Sequence, residues 1–204
     1  MNKTPKNPEK SVYTLIHSRR SIRRFTQQPI PLELLKNFVN TARLAPSAAN
    51  LQPLQYIVIN NKDLCAKIFE TLAWAAYIIP PWIPDQQERP TAYIIVLVTD
   101  TKNQFYQRDV GLATENILLA AEEENLGSCI LCKINKKKIQ EIFQIPDSIE
   151  IDSVIALGHK GEYPVVEELK NTVKYWRDDR GVLHVPKRKL EDIIFVNVYT
   201  GKKM

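Results

Sequence analysis

Three observations in the sequence predict a single domain of the α/β or α+β class. The chain has 204 residues, 44% of them hydrophobic, so it can bury a core without disulfide or metal staples. Segments with β-strand character alternate with segments whose apolar residues recur at helical spacing. No repeat or linker interrupts this order, so we expect one domain over residues 1–204, with a short N-terminal lead and a C-terminal arm.

Apolar spacing and prolines define the elements of the first half. They predict helices over residues 10–17, 31–45 and 63–74, and strands over residues 55–59 and 92–99. The last of these, AYIIVLVT, is the clearest buried strand. The prolines of the 80–90 stretch predict irregular structure around Trp82.

The second half begins with the clearest helix. This helix is predicted over residues 109–124. Apolar residues occur on almost every side of it, which predicts a core helix. We expect the acidic run Glu122–Glu124 at its end to be a solvated face. Further elements follow as a strand over 128–134, a helix over 136–143, a strand over 151–157, an arm over 190–199 and a Lys-rich tail at Lys202 and Lys203.

Composition restricts the function classes. The formal net charge of +5 indicates an anionic partner, which could be nucleic acid, an acidic surface or a phosphorylated small molecule. Neither GxGxxG nor GxxxxGK[ST] occurs, which argues against a Rossmann site and a P-loop.

The absence of long apolar runs and the cysteine count indicate the compartment. No apolar run approaches the roughly 20 residues of a membrane helix, and Met1–Lys10 lacks the apolar stretch of a signal peptide. Three cysteines (Cys65, Cys129 and Cys132) cannot close a disulfide framework. We therefore expect a cytoplasmic protein with no membrane partner.

The densest chemical signal is Ser18–Phe25 (SRRSIRRF), which we name the arginine segment. Four arginines and two serines lie within seven residues at a predicted helix end. Guanidinium forks suit phosphate, and a serine hydroxyl can donate to a phosphate or carbonyl oxygen. A solvated basic turn is the alternative. A nucleic-acid patch is a third interpretation, but such patches usually interleave aromatic and basic side chains.

The second signal is Ala45–Pro53 (APSAANLQP), which we name the small-residue loop. Its small side chains would let backbone N–H and C=O groups come close to a flat ligand. Ser47, Asn50 and Gln52 add hydrogen-bonding groups. A plain connector from helix to strand is the alternative.

Two weaker clusters complete the set. Lys187–Lys189 provides three consecutive cations, which are either solvated or part of an anion site shared with the arginine segment. The pair Cys129 and Cys132 lies in a predicted strand, where residues three apart point to opposite faces, so we interpret both as structural and expect no metal site. No GxSxG or HExxH motif occurs, so a cofactor is expected to carry any difficult chemistry.

Together, the arginine segment and the small-residue loop resemble the N-terminal signature of the FMN-dependent nitroreductase family. Asp109–Ala121 resembles the central helix of that family, and Leu126–Cys129 the turn after it. Val154–Gly158 resembles its late strand. With the C-terminal basic segment Lys187–Leu190, five motifs occur in order, and the resemblance covers roughly residues 11–196.

The resemblance implies an α+β fold with a central mixed β-sheet flanked by helices. It also implies a homodimer with two FMN sites at its interface. The FMN contacts carried over by position are Arg19, Arg20, Ser21, Arg23, Pro46, Ser47, Ala48, Asn50, Ile130, Leu131, Cys132, Lys187 and Lys189.

These positions divide by role. The resemblance places Arg19 and Arg20 near the phosphate and ribityl chain, and Arg23 by the N1 and O2 edge of the flavin. The small-residue loop would come from the other subunit. Residues 130–132 would contact the flavin through their backbone, and Lys187 and Lys189 would close on the phosphate.

The implied activity is an FMN-dependent NAD(P)H oxidoreductase with a ping-pong cycle. Its acceptors would be electron-poor small molecules such as nitroaromatics, quinones, enones or flavins, with no catalytic side chain and no nucleic-acid partner. Residues 74–90 could form a lid over the flavin, and Tyr77, Trp82 and Tyr93 could stack on an aromatic acceptor; a packed surface excursion is the alternative. The flavin-edge Asn and Lys of one branch of the family have no counterpart here. A flavin-binding or flavin-storage module is therefore the alternative, and a basic nucleic-acid-binding protein a further one.

Overall fold

A computed structural model describes residues 11–201. The predicted N-terminal lead and the tail lysines Lys202 and Lys203 lie outside the described residues. The helices are α1 (Val12–Ser18), α2 (Leu32–Ala42), α3 (Lys62–Phe69), α4 (Tyr106–Glu123) and α5 (Lys136–Phe143). The strands are β1 (Phe25–Thr26), β2 (Leu54–Ile59), β3 (Ala92–Val98), β4 (Leu126–Leu131), β5 (Glu150–Lys160), β6 (Val165–Glu168), β7 (Trp176–Arg177) and β8 (Leu183–Lys187).

The central sheet has the strand order β2-β3-β5-β4, and β1 extends it beside the end of β5. Its strand pairs are antiparallel, with Ile57 opposite Ile95 and Ile95 opposite Val154. Parallel pairing enters through the bridge between Ser21 and Ser128. Helices and this sheet confirm the predicted α+β class.

Strand β3 is the centre of the core. Every residue from Ala92 to Val98 is buried, as its continuous apolar run predicts for a strand covered on both faces. Tyr93 and Ile95 pack with α3 and α5 on one face, while Ile94 and Val96 pack with α2 and α4 on the other. Each such aliphatic side chain stabilises the fold by about 1.5–3 kcal/mol.

Helix α3 is shorter than the pattern predicts, since it ends at Phe69 and not at Trp74. The Thr71 hydroxyl donates to the Ile68 carbonyl at 2.6 Å, and Leu72 forms a bridge with Ile134. The chain therefore leaves the helix to pair with the segment that follows β4.

Helix α4 covers the sheet with one side and exposes the other. Ala113, Ile117 and Ala121 are buried, whereas Gly111 and Leu112 are exposed. The expectation of a helix buried almost all round is therefore wrong for this side. Within residues 11–201, no helix combines the length and the apolar character needed to cross a membrane.

A second, small sheet forms between β5 and the arm, where the sequence pattern predicts no strand. Strand β8 pairs parallel to β6 and antiparallel to β7. The arm beyond it begins with a 3-10 turn, Leu190–Asp192, and its residues are exposed from Leu190 to Tyr199.

Candidate functional site

The arginine segment connects α1 to β1 along the edge of β4. Ser21 forms a bridge with Ser128, and the Ile22 N–H donates to the Ser128 carbonyl at 2.9 Å. Gly127 permits this approach, because a Cβ there would lie 2.8 Å from the Ile22 side chain. The segment is thus an extension of the central sheet, which fixes its backbone.

A buried carboxylate, Glu162, organises the segment from beneath. Its Oε1 accepts hydrogen bonds from the backbone N–H groups of Arg23 (2.6 Å) and Arg24 (3.2 Å). Its Oε2 lies 2.7 Å from Nη2 of Arg177 in the small sheet. Sequence reasoning missed Glu162, because a single glutamate next to a strand carries no signal of burial.

Glu122 corrects the interpretation of the acidic run. Glu123 and Glu124 are exposed as predicted, but Glu122 is 4% exposed. Its Oε1 accepts from the Ser18 hydroxyl at 2.9 Å, and its Oε2 pairs with Nζ of Lys160 at 2.8 Å. The last turn of α4 directs this one side chain toward α1 and β5, which supply its partners.

The four arginines of the segment differ in their electrostatic partners. Arg19 pairs with Glu115 and Arg24 with Glu88, each at 3.3 Å. Across residues 11–201, no carboxylate oxygen lies within 4 Å of the Arg20 or Arg23 guanidinium. Arg20 is half-buried, and its pKa is lowered by burial first and by Arg19 second. Arg20 and Arg23 are therefore the arginines of the segment that have no carboxylate partner among the described residues.

The small-residue loop is held by a buried carboxylate of α4. Asp109 is 3% exposed, and its Oδ1 accepts from the Ala48 N–H at 3.0 Å. Ala49, Asn50 and Gln52 have φ values of 50°, 56° and 49°, in the left-handed region. Non-glycine residues rarely adopt this conformation, and such strain concentrates at functional sites. The loop therefore combines three strained backbone positions with an Ala48 N–H that α4 holds in place.

Both regions attach to α4 without touching through polar contacts. Glu115 and Asp109 are six residues apart, which is about 9 Å along a helix. In the described part of the chain, no hydrogen bond or ion pair joins the arginine segment to the small-residue loop. Within one chain, the arginine segment and the small-residue loop therefore contact the same helix, α4, but not each other through polar groups.

Comparison with known proteins gives this fold a family. The nitroreductase family model matches residues 16–159. The chain belongs to the nitroreductase family. It is 32% identical to an Archaeoglobus fulgidus protein named "Putative NADH dehydrogenase/NAD(P)H nitroreductase", over 71% of this chain and 83% of that one. It is 26% identical to an iodotyrosine deiodinase of Haliscomenobacter hydrossis, over 79% of this chain and 85% of that one.

Solved structures agree on the fold. An FMN-dependent nitroreductase from Clostridium difficile matches with a TM-score of 0.65 and 22% identity, over 90% of this chain and 98% of that one. A structure described as an oxidoreductase containing FMN matches with a TM-score of 0.66 and 22% identity, over 99% and 100%. At this identity the likeness shows the nitroreductase fold alone.

The predicted FMN contacts at residues 130–132 differ in exposure. Leu131 is buried in the core, while Ile130 is 39% exposed and Cys132 is exposed. The thiols of Cys129 and Cys132 are free, and burial raises the pKa of each. Ile130 and Cys132 are thus the accessible side chains of this stretch at the end of β4.

The basic C-terminal stretch does not meet the arginine segment in the described chain. Lys187 is exposed at the end of β8, and Nζ of Lys189 lies 3.0 Å from Oε1 of Glu168, which raises the Lys189 pKa. The connection is indirect, because the small sheet is joined to the segment through Arg177 and Glu162.

Residues 74–90 lie against the arginine segment. Trp82 has the guanidinium carbon of Arg24 at 5.4 Å from its ring and that of Arg177 at 5.1 Å. Tyr77 packs on Tyr175 at 5.2 Å between ring centroids, and Arg23 lies over Tyr175. This position would make residues 74–90 one wall of a site at the arginine segment.

Tyr93 does not belong to that wall. The sequence suggested that it stacks on an acceptor, but its side chain is 0% exposed in the core, where β3 places it. That expectation is wrong, because alternation along β3 directs Tyr93 inward beneath α3.

Proposed function

We propose that this chain is an FMN-dependent NAD(P)H oxidoreductase that reduces electron-poor acceptors in a ping-pong cycle. The observation that carries the proposal is the pair Arg20 and Arg23, two cations without carboxylate partners among the described residues. Glu162 holds the backbone N–H of Arg23 in place. Family membership supports the redox chemistry. Nitroaromatics, quinones, enones and flavins are the acceptor classes that we would screen.

The residues present fit FMN. A phosphate dianion would satisfy Arg20, whose positive charge is disfavoured by burial and by Arg19. Arg23 would place a second positive charge by the pyrimidine edge of the ring, where reduction increases negative charge. When bound, FMN supplies two-electron hydride chemistry between a reduced nicotinamide and the acceptor.

The remaining proposed contacts meet the phosphate, the ribityl chain and the ring of FMN. Arg19 and the Ser21 hydroxyl would complete the phosphate and ribityl contacts, with Lys187 and Lys189 closing from the small sheet. Residues 130–132 would contribute backbone groups and the exposed Ile130 side chain. No side chain is assigned as a general base, because the protein's part is to bind, orient and exclude water.

We also propose that the site is completed in a homodimer. The small-residue loop contributes Pro46, Ser47, Ala48 and Asn50, and in this proposal it serves the site of the partner subunit. Large apolar side chains are exposed on α1, on α4 and along the C-terminal arm, and exposed apolar surface is a feature of interaction surfaces. They include Val12, Tyr13, Ile16, Leu112, Ile193, Ile194, Val196 and Tyr199.

Stopped-flow spectroscopy tests the proposal. Protein reconstituted with FMN should lose its flavin absorbance on mixing with NADH or NADPH, and regain it on mixing with an acceptor. Failure to bind FMN would refute the proposal. Binding without bleaching would favour a flavin-storage module.

The choice of acceptor needs a second measurement. One relative is named an iodotyrosine deiodinase, so halogenated tyrosine belongs in the reoxidation screen beside nitroaromatics and quinones. Salt-dependent binding of DNA that persists with FMN bound would favour the nucleic-acid alternative. Measurement of the molecular mass in solution, with and without FMN, tests the homodimer. A cytoplasmic location is also part of the proposal.

A further inference from the structure

The Arg23 guanidinium is held by an aromatic ring and not by a carboxylate. Its carbon lies 4.7 Å from the centre of the Tyr175 ring. Across the described residues 11–201, the Arg23 side chain has no carboxylate oxygen within 4 Å and makes no hydrogen bond. Arg24 differs, because it combines a contact with Trp82 with an ion pair to Glu88 at 3.3 Å. Tyr175 is therefore an uncharged partner of the Arg23 charge.

A ring face and a carboxylate hold a guanidinium with different consequences. A carboxylate neutralises the charge and takes up N–H donors, of which a guanidinium has five. The face of a tyrosine ring attracts the cation through its quadrupole, and it leaves the net charge and the N–H groups at the edge of the guanidinium free. Arg23 thus keeps a full positive charge and its donors for a ligand.

Contacts from several elements fix the Tyr175 ring. Tyr175 directly precedes β7 and Arg177 ends it, so two alternate residues of one extended stretch reach toward the arginine segment. Arg177 pairs with Glu162, whose Oε1 accepts from the backbone N–H of Arg23 at 2.6 Å. Tyr77 packs on the Tyr175 ring with 5.2 Å between centroids, and the ring is partly buried against the core. The backbone and the side chain of Arg23 are therefore both held.

The positive charge of Arg23 acts at the end of β4. Burial raises the pKa of the Cys129 thiol in β4, and the charge of Arg23 is the largest effect that opposes this rise. Residues 130–132, which the resemblance assigns to the flavin ring, follow directly in the chain. This position agrees with the proposed place of Arg23 beside the flavin.

We propose that Tyr175 is a positioning residue: its ring holds the Arg23 guanidinium beside the pyrimidine edge of FMN without neutralising it. This role rests on the proposed function, because it needs FMN in the site. Negative charge increases at that edge when the flavin is reduced, so a full cation there favours reduced over oxidised FMN. Tyr175 therefore acts, through Arg23, on the reduction potential of the bound flavin.

NMR spectroscopy of the full chain without FMN tests the contact itself. A guanidinium over a ring experiences the ring current, so the side-chain protons of Arg23 should resonate upfield of their usual range. Tyr175→Phe should keep this shift because it keeps the ring, and Tyr175→Leu should abolish it. Tyr163→Leu, the same change at a tyrosine that is 73% exposed, is the matched control. An ordinary Arg23 resonance in the wild type would overturn the proposal.

The reduction potential of the FMN-loaded protein tests the role. Tyr175→Leu should weaken the binding of reduced relative to oxidised FMN about fivefold, which is the size of a cation–π contact. For a two-electron couple this lowers the potential by about 20 mV. Redox titration against a dye of known potential measures the shift, and fluorescence titration gives the affinity for oxidised FMN. Tyr175→Phe should keep the wild-type potential, as should Tyr163→Leu.

Two further variants separate positioning from a loss of folding or a direct contact. Tyr77→Leu leaves Tyr175 in place but removes the ring that packs on it, and should give a smaller shift of the same sign. In a protein that also carries Arg23→Gln, Tyr175→Leu should no longer change the potential, because the cation that it positions is gone. An equal shift in that background would show that the Tyr175 ring contacts the flavin itself, which would overturn the proposal.

Failure of this role and failure of the proposed function give different results. A wild type that binds FMN and is bleached by NADH or NADPH, with an unchanged potential in Tyr175→Leu, would overturn the role of Tyr175 and leave the oxidoreductase activity intact. A wild type that binds no FMN would refute the proposed function, and the role of Tyr175 with it.

Discussion

The arginine segment and the small-residue loop are both fastened to α4, but the fold holds them in opposite ways. The first extends the central sheet, and buried Glu162 binds its backbone. Within residues 11–201, its Arg20 and Arg23 guanidiniums have no carboxylate partner. The second contains three exposed left-handed residues and has one bond to buried Asp109. The fold thus fixes the cations in place and stores strain in the loop.

Removal of Glu162 should give the largest loss of stability, because this side chain supports the arginine segment. Glu162→Ala leaves Arg177, whose side chain is 11% exposed, as an unpaired buried charge. We expect a loss of about 3–5 kcal/mol in the free energy of unfolding, measured with urea. Glu88→Ala is the control, because its pair with Arg24 is more exposed and contributes about 1 kcal/mol or less. Equal losses would contradict the role of Glu162.

The next effect concerns FMN affinity. Arg20→Gln or Arg23→Gln should weaken FMN by about 1.5–3 kcal/mol, or roughly 10- to 150-fold, because each removes a charge-assisted hydrogen bond. Arg24→Gln should weaken it less, since Arg24 is already paired with Glu88. A fluorescence titration of FMN gives the constants. An Arg24 effect as large as the other two would show that ion pairing within the chain does not select the ligand-binding arginines.

A smaller effect is expected on the loop side. Asp109→Ala removes the acceptor of the Ala48 N–H and should cost about 1–3 kcal/mol of stability. Hydrogen exchange at the Ala48 amide should become faster. Asp109→Asn keeps an acceptor oxygen and should protect that amide. Unchanged exchange in Asp109→Ala would mean that the bond does not hold the loop.

The smallest effect tests the strain itself. At φ 50°, Ala49 adopts a conformation that costs an L-residue about 1–2 kcal/mol, whereas glycine adopts it freely. Ala49→Gly should therefore be neutral or stabilising by up to about 1 kcal/mol, after the entropy of the unfolded chain is counted. Ala48→Gly has no strain to relieve and should be destabilising by about 0.5–1 kcal/mol. Thermal unfolding distinguishes the two.

The sequence predicts those parts of the fold whose signal is local. Strand β3 is a continuous apolar run, and α5 follows helical spacing from Lys136 to Phe143, so both match their predicted ranges closely. The small sheet escapes prediction because its strands are short and largely exposed, and β6 pairs with residues about twenty positions later.

The candidate site divides in the same manner. Composition and resemblance single out the arginines and the small-residue loop, since these are contiguous in sequence. The buried carboxylates that hold them are not predictable from their neighbours. Glu162 binds backbone groups 138 and 139 residues away, and Asp109 binds one 61 residues away. A carboxylate that is buried by distant chain looks identical in sequence to one in water.

Trp82, which lies close to the guanidiniums of Arg24 and Arg177, has an optical consequence. An indole at this position emits light where flavins absorb, so energy transfer would couple its fluorescence to cofactor occupancy. Trp74 lies in the core and Trp176 stacks on His184, which gives the three tryptophans distinct surroundings. The difference in tryptophan emission between wild type and Trp82→Phe would then report cofactor occupancy beside the arginine segment, without an added label.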